Sequence, residues 1–257
     1  MISDTTRKLL TTLADRYETP QFIVGDPSWW MHQVTGRRNQ EATAFVASAL
    51  SYGSRSQFMP RIGLLLDMAD GDMDRWLREG GFRRRFATGG KDCFYRLYNE
   101  GTMRAFFEAY HELLVEHGSL GEYLSTFNLQ PSTLNSQLST FNFIGAICAW
   151  FAAHSAGSVV PKDTTSACKR VCMFMRWMVR DGSPVDLGLW KDLLDKRTLV
   201  MPLDTHVVSE ALKLNLLNSR CASMSAARRL TDAMREVFPD DPLRGDFALF
   251  GFGVDNG

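Results

Sequence analysis

The sequence predicts an all-α protein, and three observations carry that prediction. Apolar residues recur at three- and four-residue steps over several long stretches, convincing alternating runs are absent, and glycines fall at the ends of the periodic stretches. "EATAFVASALSYG" (41–53), "RIGLLLDMADGDMDRWLREG" (61–80), "TMRAFFEAYHELLVEHG" (102–118) and "FIGAICAWFAAHSAG" (143–157) each carry the helical rhythm. Gly53, Gly80, Gly81, Gly89, Gly90, Gly118 and Gly157 punctuate them as helix ends and turns should. Ahead of these, "MISDTTRKLLTTLADRYE" reads as an amphipathic helix of mixed charge without the apolar core of a signal peptide.

With 257 residues the chain can bury a sizeable core as one large domain or two small lobes. Its 45% hydrophobic and 23% charged residues exclude wholesale disorder and fibrous classes. The 29 Lys+Arg balance 29 Asp+Glu, so no global field draws a nucleic acid, and such a partner must be argued from local patches. No stretch approaches the roughly 18 continuous apolar residues of a membrane span, so the expectation is a cytoplasmic protein with no membrane partner. Cys93, Cys148, Cys168, Cys172 and Cys221 form no CxxC pair and leave an odd count, against a disulfide framework or an obvious zinc site. Cys168 and Cys172, one helical turn apart, could hold a metal between them, but two buried small apolar side chains are the plainer reading. His32 and His206 show no metal-ligand spacing, His206 reads as structural, and no metal or other cofactor is expected.

One segment stands apart. "LSTFNLQPSTLNSQLSTFN" holds LSTFN at 124–128 and again at 138–142 with polar residues between, too little repetition for a solenoid and too polar to bury much. It reads as a surface loop over 124–142, flexible, without chemistry and tolerant of deletion.

The C-terminal third is the most informative. Ser166 reads as the N-cap of "ACKRVCMFMRWMVR" (167–180), with Ala167, Val171, Phe174, Met175 and Met178 on an apolar face. Lys169, Met173, Arg176 and Arg180 follow at steps of four, three and four and form a second, basic face, whose plain reading is a solvated stripe. After a Gly/Pro-containing connection comes Asp204 and a helix from about Thr205, with Val208, Ala211, Leu212 and Asn215 on one side and Leu216 nearby. Asp204 reads either as the cap of that helix or as a carboxylate held at a helix end for chemistry, and the residues alone leave both open. Two helices joined this way can bring Lys169 and Asp204 together. Asp186 in "SPVDLGLW" is a rival acid.

Lys169, the run Pro202 to Val207 ("PLDTHV") and the helix after it resemble the helix-hairpin-helix DNA glycosylase superfamily, whose members include endonuclease III and the adenine glycosylase. Over most of the chain, "QEATAFVASALSYGSRSQ" (40–57), "SACKRVCMFMRWMVRDGSPVDLGLW" and "DFALFGFG" (246–253) resemble a bacterial protein family associated with that superfamily. The hairpin glycines that usually precede the lysine are replaced by "KDTTSACK", and the connection from Lys169 to Asp204 is long. The chain resembles the archaeal 8-oxoguanine DNA glycosylase in both respects. The four-cysteine iron–sulfur loop of endonuclease III is absent, so no cluster is implied.

The resemblance implies a two-lobed helical fold, with a central lobe over 30–142 and a second lobe of 1–29 plus 143–257. It implies a base-excision repair glycosylase, with or without lyase activity, acting as a monomer on double-stranded DNA with an oxidised or otherwise damaged base. Asp204 would stabilise positive charge on the deoxyribose and Lys169 would attack its anomeric carbon. Phosphate contacts would come from Lys162, Lys169, Arg170, Arg176 and Arg180, with Ser51, Tyr52, Arg55 and Gln57 contributing from the other lobe. Trp177 and Trp190 would line the pocket of the flipped base, although core packing is the plainer role of a tryptophan in a helical protein. "GFRRRFATGGKDCFYR" (81–96) is a second basic stretch, solvated in its plain reading. Two rivals stay open: a non-catalytic DNA-binding or interaction protein on the same scaffold, and a small-molecule enzyme using the same cleft.

Overall fold

The computed structural model describes residues 2–128 and 140–256. Among the described residues the protein is mostly helical. In chain order the helices are α1 (Asp4–Tyr17), α2 (Trp29–His32), α3 (Arg37–Leu50), α4 (Arg55–Met68), α5 (Met73–Arg78) and α6 (Glu100–His117). There follow α7 (Leu120–Ser125), α8 (Thr140–Ala153), α9 (Lys169–Val179), α10 (Thr205–Lys213), α11 (Met224–Val237) and α12 (Arg244–Asp255). The polar residues Ser3, Asp72, Asn99, Ser119, Asp204 and Ser223 start helices by accepting a first-turn N–H in the side chain, which satisfies donors the helix leaves open. None of the described helices is long and apolar enough to cross a membrane.

Two short strands were not legible in the sequence: β1 (Cys93–Tyr95) pairs antiparallel with β2 (Tyr98–Asn99). The chain turns between them through Arg96, at φ 51°, and Leu97. Runs of this length are too short to display a two-residue alternation.

The chain divides into two compact units, one of Met1–Val24, Ser139–Ile144 and Thr164–Gly257, the other of Gly25–Leu138 and Gly145–Asp163. The run 145–163 therefore groups with the central helices and not, as the sequence reading had it, with the C-terminal lobe. The reason lies in the aromatic core of that unit. Phe151 packs against Phe45 at 5.1 Å and Phe106 at 5.7 Å between centroids, and Trp150 Nε1 donates to the Ala109 carbonyl at 2.9 Å. Buried Glu41 serves the same unit by accepting the Leu120 N–H at 2.7 Å, at the start of α7.

The repeat is only partly a loop. Residues 129–139 lie outside the described residues. On either side, Leu124 and Ser125 end α7, Thr126–Asn128 form a 3-10 turn, and Thr140 opens α8. Leu124 and Thr140 are buried, and the Thr140 hydroxyl lies 3.0 Å from that of Thr198. Within the identical pentapeptides, burial of Leu124 and the onset of the apolar residues Phe143 and Ile144 decide the structure.

In the unit that holds both chain ends, α12 is the shared wall for α1 and α10. α9 is buried on every side from Val171 to Val179, as a helix apolar nearly all round must be. Arg176 on α9 and Arg180 just after its end are buried with it, at 3% and 1% exposed. The expected phosphate-facing stripe is corrected here, because both guanidiniums are matched inside the unit. Asp186, between them, takes one hydrogen bond from Arg176 Nε at 3.2 Å and another from Arg180 Nη1. Arg176 Nη1 also bonds Asp246, while Arg180 reaches Asp241 at 2.8 and 2.7 Å and Glu18 at 2.7 Å. Arg244 extends the chain of charges from Glu18, at 3.0 Å, to Asp15 at 2.5 Å.

Burial works against the Arg180 charge, yet Asp186, Asp241 and Glu18 together hold its pKa above the ordinary arginine value. Burial likewise raises Glu18, but Arg180 and Arg244 outweigh it and leave the carboxyl below its usual range. Removing one member of such a buried set leaves its partners' charges uncompensated, at a cost of about 3–5 kcal/mol. Asp186→Ala is therefore expected to lower stability by that amount, read in chemical denaturation. A loss under about 1 kcal/mol, the value of an exposed pair, would show that the network is not what holds α9.

Candidate active site

α9 starts two residues later than the sequence suggested. Ser166 does not cap it. The Ser166 hydroxyl accepts from the Cys168 N–H at 3.4 Å, and Cys168 itself occupies the cap position with left-handed backbone, φ 46° and ψ 38°. The chain before it is held by an antiparallel bridge between Ser166 and Ser223, with the Ala167 N–H donating to the Ala222 carbonyl at 3.1 Å. Lys169 is thus the first residue of α9.

Asp204 is the N-cap of α10. One carboxylate oxygen accepts the His206 N–H at 2.8 Å and the Thr205 hydroxyl at 3.4 Å. The other accepts Lys169 Nζ at 2.7 Å. Of the two readings of Asp204 left open by the sequence, the structure shows the cap, and the same carboxylate also faces a lysine. The pair is partly sheltered, with side chains 33% and 15% exposed for Lys169 and Asp204. Burial raises the Asp204 carboxyl, but Lys169 and the His206 N–H outweigh it, so the group stays below the ordinary carboxylate value. Asp204 is therefore a carboxylate at working pH and a poor proton acceptor. A cavity of about 190 Å3 opens on Asp204, walled by Leu203, Val208 and Ala222, with Thr205, Ser209 and Arg220 as its polar residues.

Behind the pair lies an acid that the sequence reading did not single out. Asp246 of α12 is buried against Arg176, and burial, with Asp204 and Asp186 as neighbouring like charges, pushes its carboxyl up to about 6 despite that arginine. Its only trace in the sequence is its place at the head of "DFALFGFG". The rival acid Asp186 is locked between Arg176 and Arg180 with no exposed side-chain surface, so it has no access to a ligand.

Several expected residues serve the fold instead. Trp177 is fully buried and Trp190 nearly so, the latter edge-on to Phe174 at 5.2 Å, so neither lines an open pocket. Ser51 is buried and its hydroxyl donates to the Ala47 carbonyl at 2.7 Å, closing the end of α3. Tyr52, Arg55 and Gln57, with Ser51, belong to the other unit. There Tyr52 meets Tyr95 and Tyr98, each at 5.1 Å between centroids, Arg96 stacks on Tyr52 and reaches Gln57 at 3.4 Å, and Arg55 lies 3.7 Å from Asp26. Lys162 is exposed in that same unit, whereas half-buried Arg170 follows Lys169 in the first. In the second basic stretch, Arg83 pairs with Glu108 at 2.6 Å and Arg85 with Glu100. His206 is structural as expected from its lack of metal spacing: its Nδ1 donates to the Gly253 carbonyl at 3.0 Å. Cys172 is buried beside Cys168, its thiol pushed up by burial. Among the described residues no group of three or more metal-ligating side chains converges.

These features define a mostly helical protein with a sheltered lysine–carboxylate pair at the starts of two helices, beside a small cavity. The chain belongs to the family described as protein of unknown function (DUF2400), whose family model matches residues 26–255. No curated protein and no solved structure matches it.

Two substitutions separate the two jobs of Asp204. Asparagine still caps a helix, so Asp204→Asn is expected to lose only the ion pair, under about 1 kcal/mol. Asp204→Ala loses cap and pair, about 1–2 kcal/mol. Equal losses would mean that the cap contributes nothing. The pH dependence carries opposite signs at the two acids. The Asp204 value is depressed, so its contribution is full above the ordinary carboxylate pKa of about 3.9 and disappears as pH falls through the folded value. The Asp246 value is raised to about 6, so its contribution is full at low pH and is lost as pH rises through 6. Stability of the wild type relative to Asp246→Asn should therefore fall between roughly pH 4 and 7; a rise over that range would contradict the assignment.

Proposed function

We propose that this chain is a DNA N-glycosylase of the helix-hairpin-helix class, removing an oxidised or otherwise damaged base, with Asp204 and Lys169 as its catalytic residues. One observation carries the reading: Lys169 Nζ stands 2.7 Å from the carboxylate of Asp204, which itself lines a cavity. Both groups can reach one sugar from there. The resemblance in sequence supports the class and the two-lobed glycosylase fold. A further support is the left-handed Cys168 just before Lys169, the backbone form that hairpin glycines adopt at no cost.

The chemistry follows from the two groups. As the glycosidic bond lengthens, its electron pair leaves with the base and positive charge develops on the deoxyribose, which the Asp204 carboxylate stabilises. Lys169 must first give a proton to solvent, because Asp204 is too weak a base to keep one. The free amine then bonds to C1′ as the base departs and takes up a proton. Opening of the C1′–O4′ bond, with the remaining Nζ proton passing to O4′, leaves an imine. Where water takes the place of the amine, the outcome is base loss alone.

A second reading, a non-catalytic DNA-binding or interaction protein, is favoured by the fact that both oxygens of Asp204 already have structural partners. The two readings separate on a panel of oxidised, deaminated and alkylated duplexes, with oxidised purine first. The glycosylase reading expects base release from at least one, slowed about 100-fold by Asp204→Asn. Where the amine attacks, borohydride fixes the protein to that duplex and Lys169→Gln abolishes the trapping. No release and no trapping on any duplex, with binding that survives Lys169→Gln, would assign the second reading.

A further inference from the structure

The Lys169–Asp204 pair sums to zero charge, yet the cavity beside it is not neutral. Arg220 lines that cavity and is exposed, and among the described residues it has no hydrogen-bond or ion-pair partner. Most arginines of the same unit are otherwise employed: Arg16, Arg176, Arg180, Arg197, Arg235 and Arg244 all face acids. The loop that carries Arg220 is held at its base. The Cys221 N–H donates to the Ser219 hydroxyl at 3.2 Å, and Ala222 and Ser223 are joined to Ala167 and Ser166, the residues that lead into Lys169. One backbone contact therefore sets both cations, Arg220 and Lys169, about Asp204.

The size of the cavity limits what enters it. At about 190 Å3 it is smaller than the roughly 300 Å3 at which ordinary small-molecule sites begin. It takes one ring of a ligand against Leu203, Val208 and Ala222, with Thr205 and Ser209 offering hydroxyls to a sugar. The rest of the ligand must lie outside, where the unmatched guanidinium is. A planar, permanently charged fork with free donors suits a phosphate, which it meets through two parallel hydrogen bonds.

We infer that Arg220 is the phosphate-binding residue of this site, gripping the phosphate attached to the sugar that faces Asp204. The inference rests on the reading of Lys169 and Asp204 as a sugar-facing pair. The shared ligand chemistry is a phosphorylated deoxyribose, supplied either by a polynucleotide backbone or by a free nucleotide.

Binding measurements distinguish the sources and test the assignment. The first probe is a duplex with a tetrahydrofuran abasic analogue, titrated at several salt concentrations. The second is a deoxynucleoside monophosphate, compared with its nucleoside. The variants are Arg220→Ala and Arg220→Lys, with Arg229→Ala as a control, since Arg229 is an exposed α11 arginine outside the cavity. Arg220→Ala should weaken duplex binding about 10-fold and flatten the plot of log K against log salt by about 0.9, the loss of one phosphate contact. Arg220→Lys should restore the slope, and Arg229→Ala should leave it unchanged. Equal slopes for wild type and Arg220→Ala, or equal losses for Arg220→Ala and Arg229→Ala, would overturn the assignment while leaving the DNA reading intact. If wild type ignores the duplex but binds the monophosphate over the nucleoside in an Arg220-dependent way, the DNA reading fails and the Arg220 site stands. Binding of neither probe by wild type would overturn both. Arg220→Ala should keep the wild-type melting temperature, because an exposed side chain without partners holds nothing together.

Discussion

The structure of the unit that holds both chain ends depends on one buried carboxylate. Asp186 has no exposed side-chain surface and is gripped by Arg176, in the last turn of α9, and Arg180, which caps its end one turn later. A helix with two buried guanidiniums on one face cannot rotate freely, because any other setting would leave charges in the interior without partners, at several kcal/mol each. Lys169 lies two turns before Arg176 on that same face, at helical spacing. The orientation that satisfies the arginines is therefore the one that points Lys169 at Asp204. The candidate site inherits its geometry from a network that touches no ligand.

The basic stripe on α9 was legible in the sequence, and its meaning was not. Steps of four, three and four correctly align Lys169, Arg176 and Arg180. Periodicity states that they share a face and is silent on what that face meets. The acids that meet them, Glu18, Asp186, Asp241 and Asp246, come from the end of α1, a connecting loop, the approach to α12 and α12 itself. Such pairs are made by tertiary packing, and no local pattern announces them. The Lys169–Asp204 pair was legible because both residues stand beside helix starts that the sequence marks. Arg220 left no mark, since a lone arginine in a polar loop has a meaning only once its neighbours are known.

Backbone conformation explains two further departures. A left-handed residue immediately precedes Lys169, and the chain places Cys168 there, although a non-glycine in that region costs about 1–2 kcal/mol. Its burial and the bond from its N–H to Ser166 help to hold it. The missing hairpin glycine is thus a change of residue type and not of backbone shape at that position. The glycines of "DFALFGFG" have a different cause. A Cβ on Gly251 would run into the Tyr17 ring of α1, and one on Gly253 would stand 2.9 Å from His206 Cβ of α10. α12 lacks side chains where α1 and α10 cross it, and their close approach seats His206, two residues past Asp204, on the Gly253 carbonyl.

The two members of the candidate pair are not electrostatic equals. Each stands at the positive end of a helix, which favours a carboxylate and disfavours an ammonium. Asp204 would remain well placed without Lys169, since its cap bonds to α10 persist. Lys169 has Asp204 as its only hydrogen-bond or ion-pair partner among the described residues, with two thirds of its side chain covered. On the proposed reading this asymmetry has a chemical consequence. Once Lys169 has given its proton to solvent it no longer neutralises Asp204, so one deprotonation both frees the carboxylate for positive charge developing on a sugar and supplies the amine that attacks C1′. Neither change needs movement of either helix.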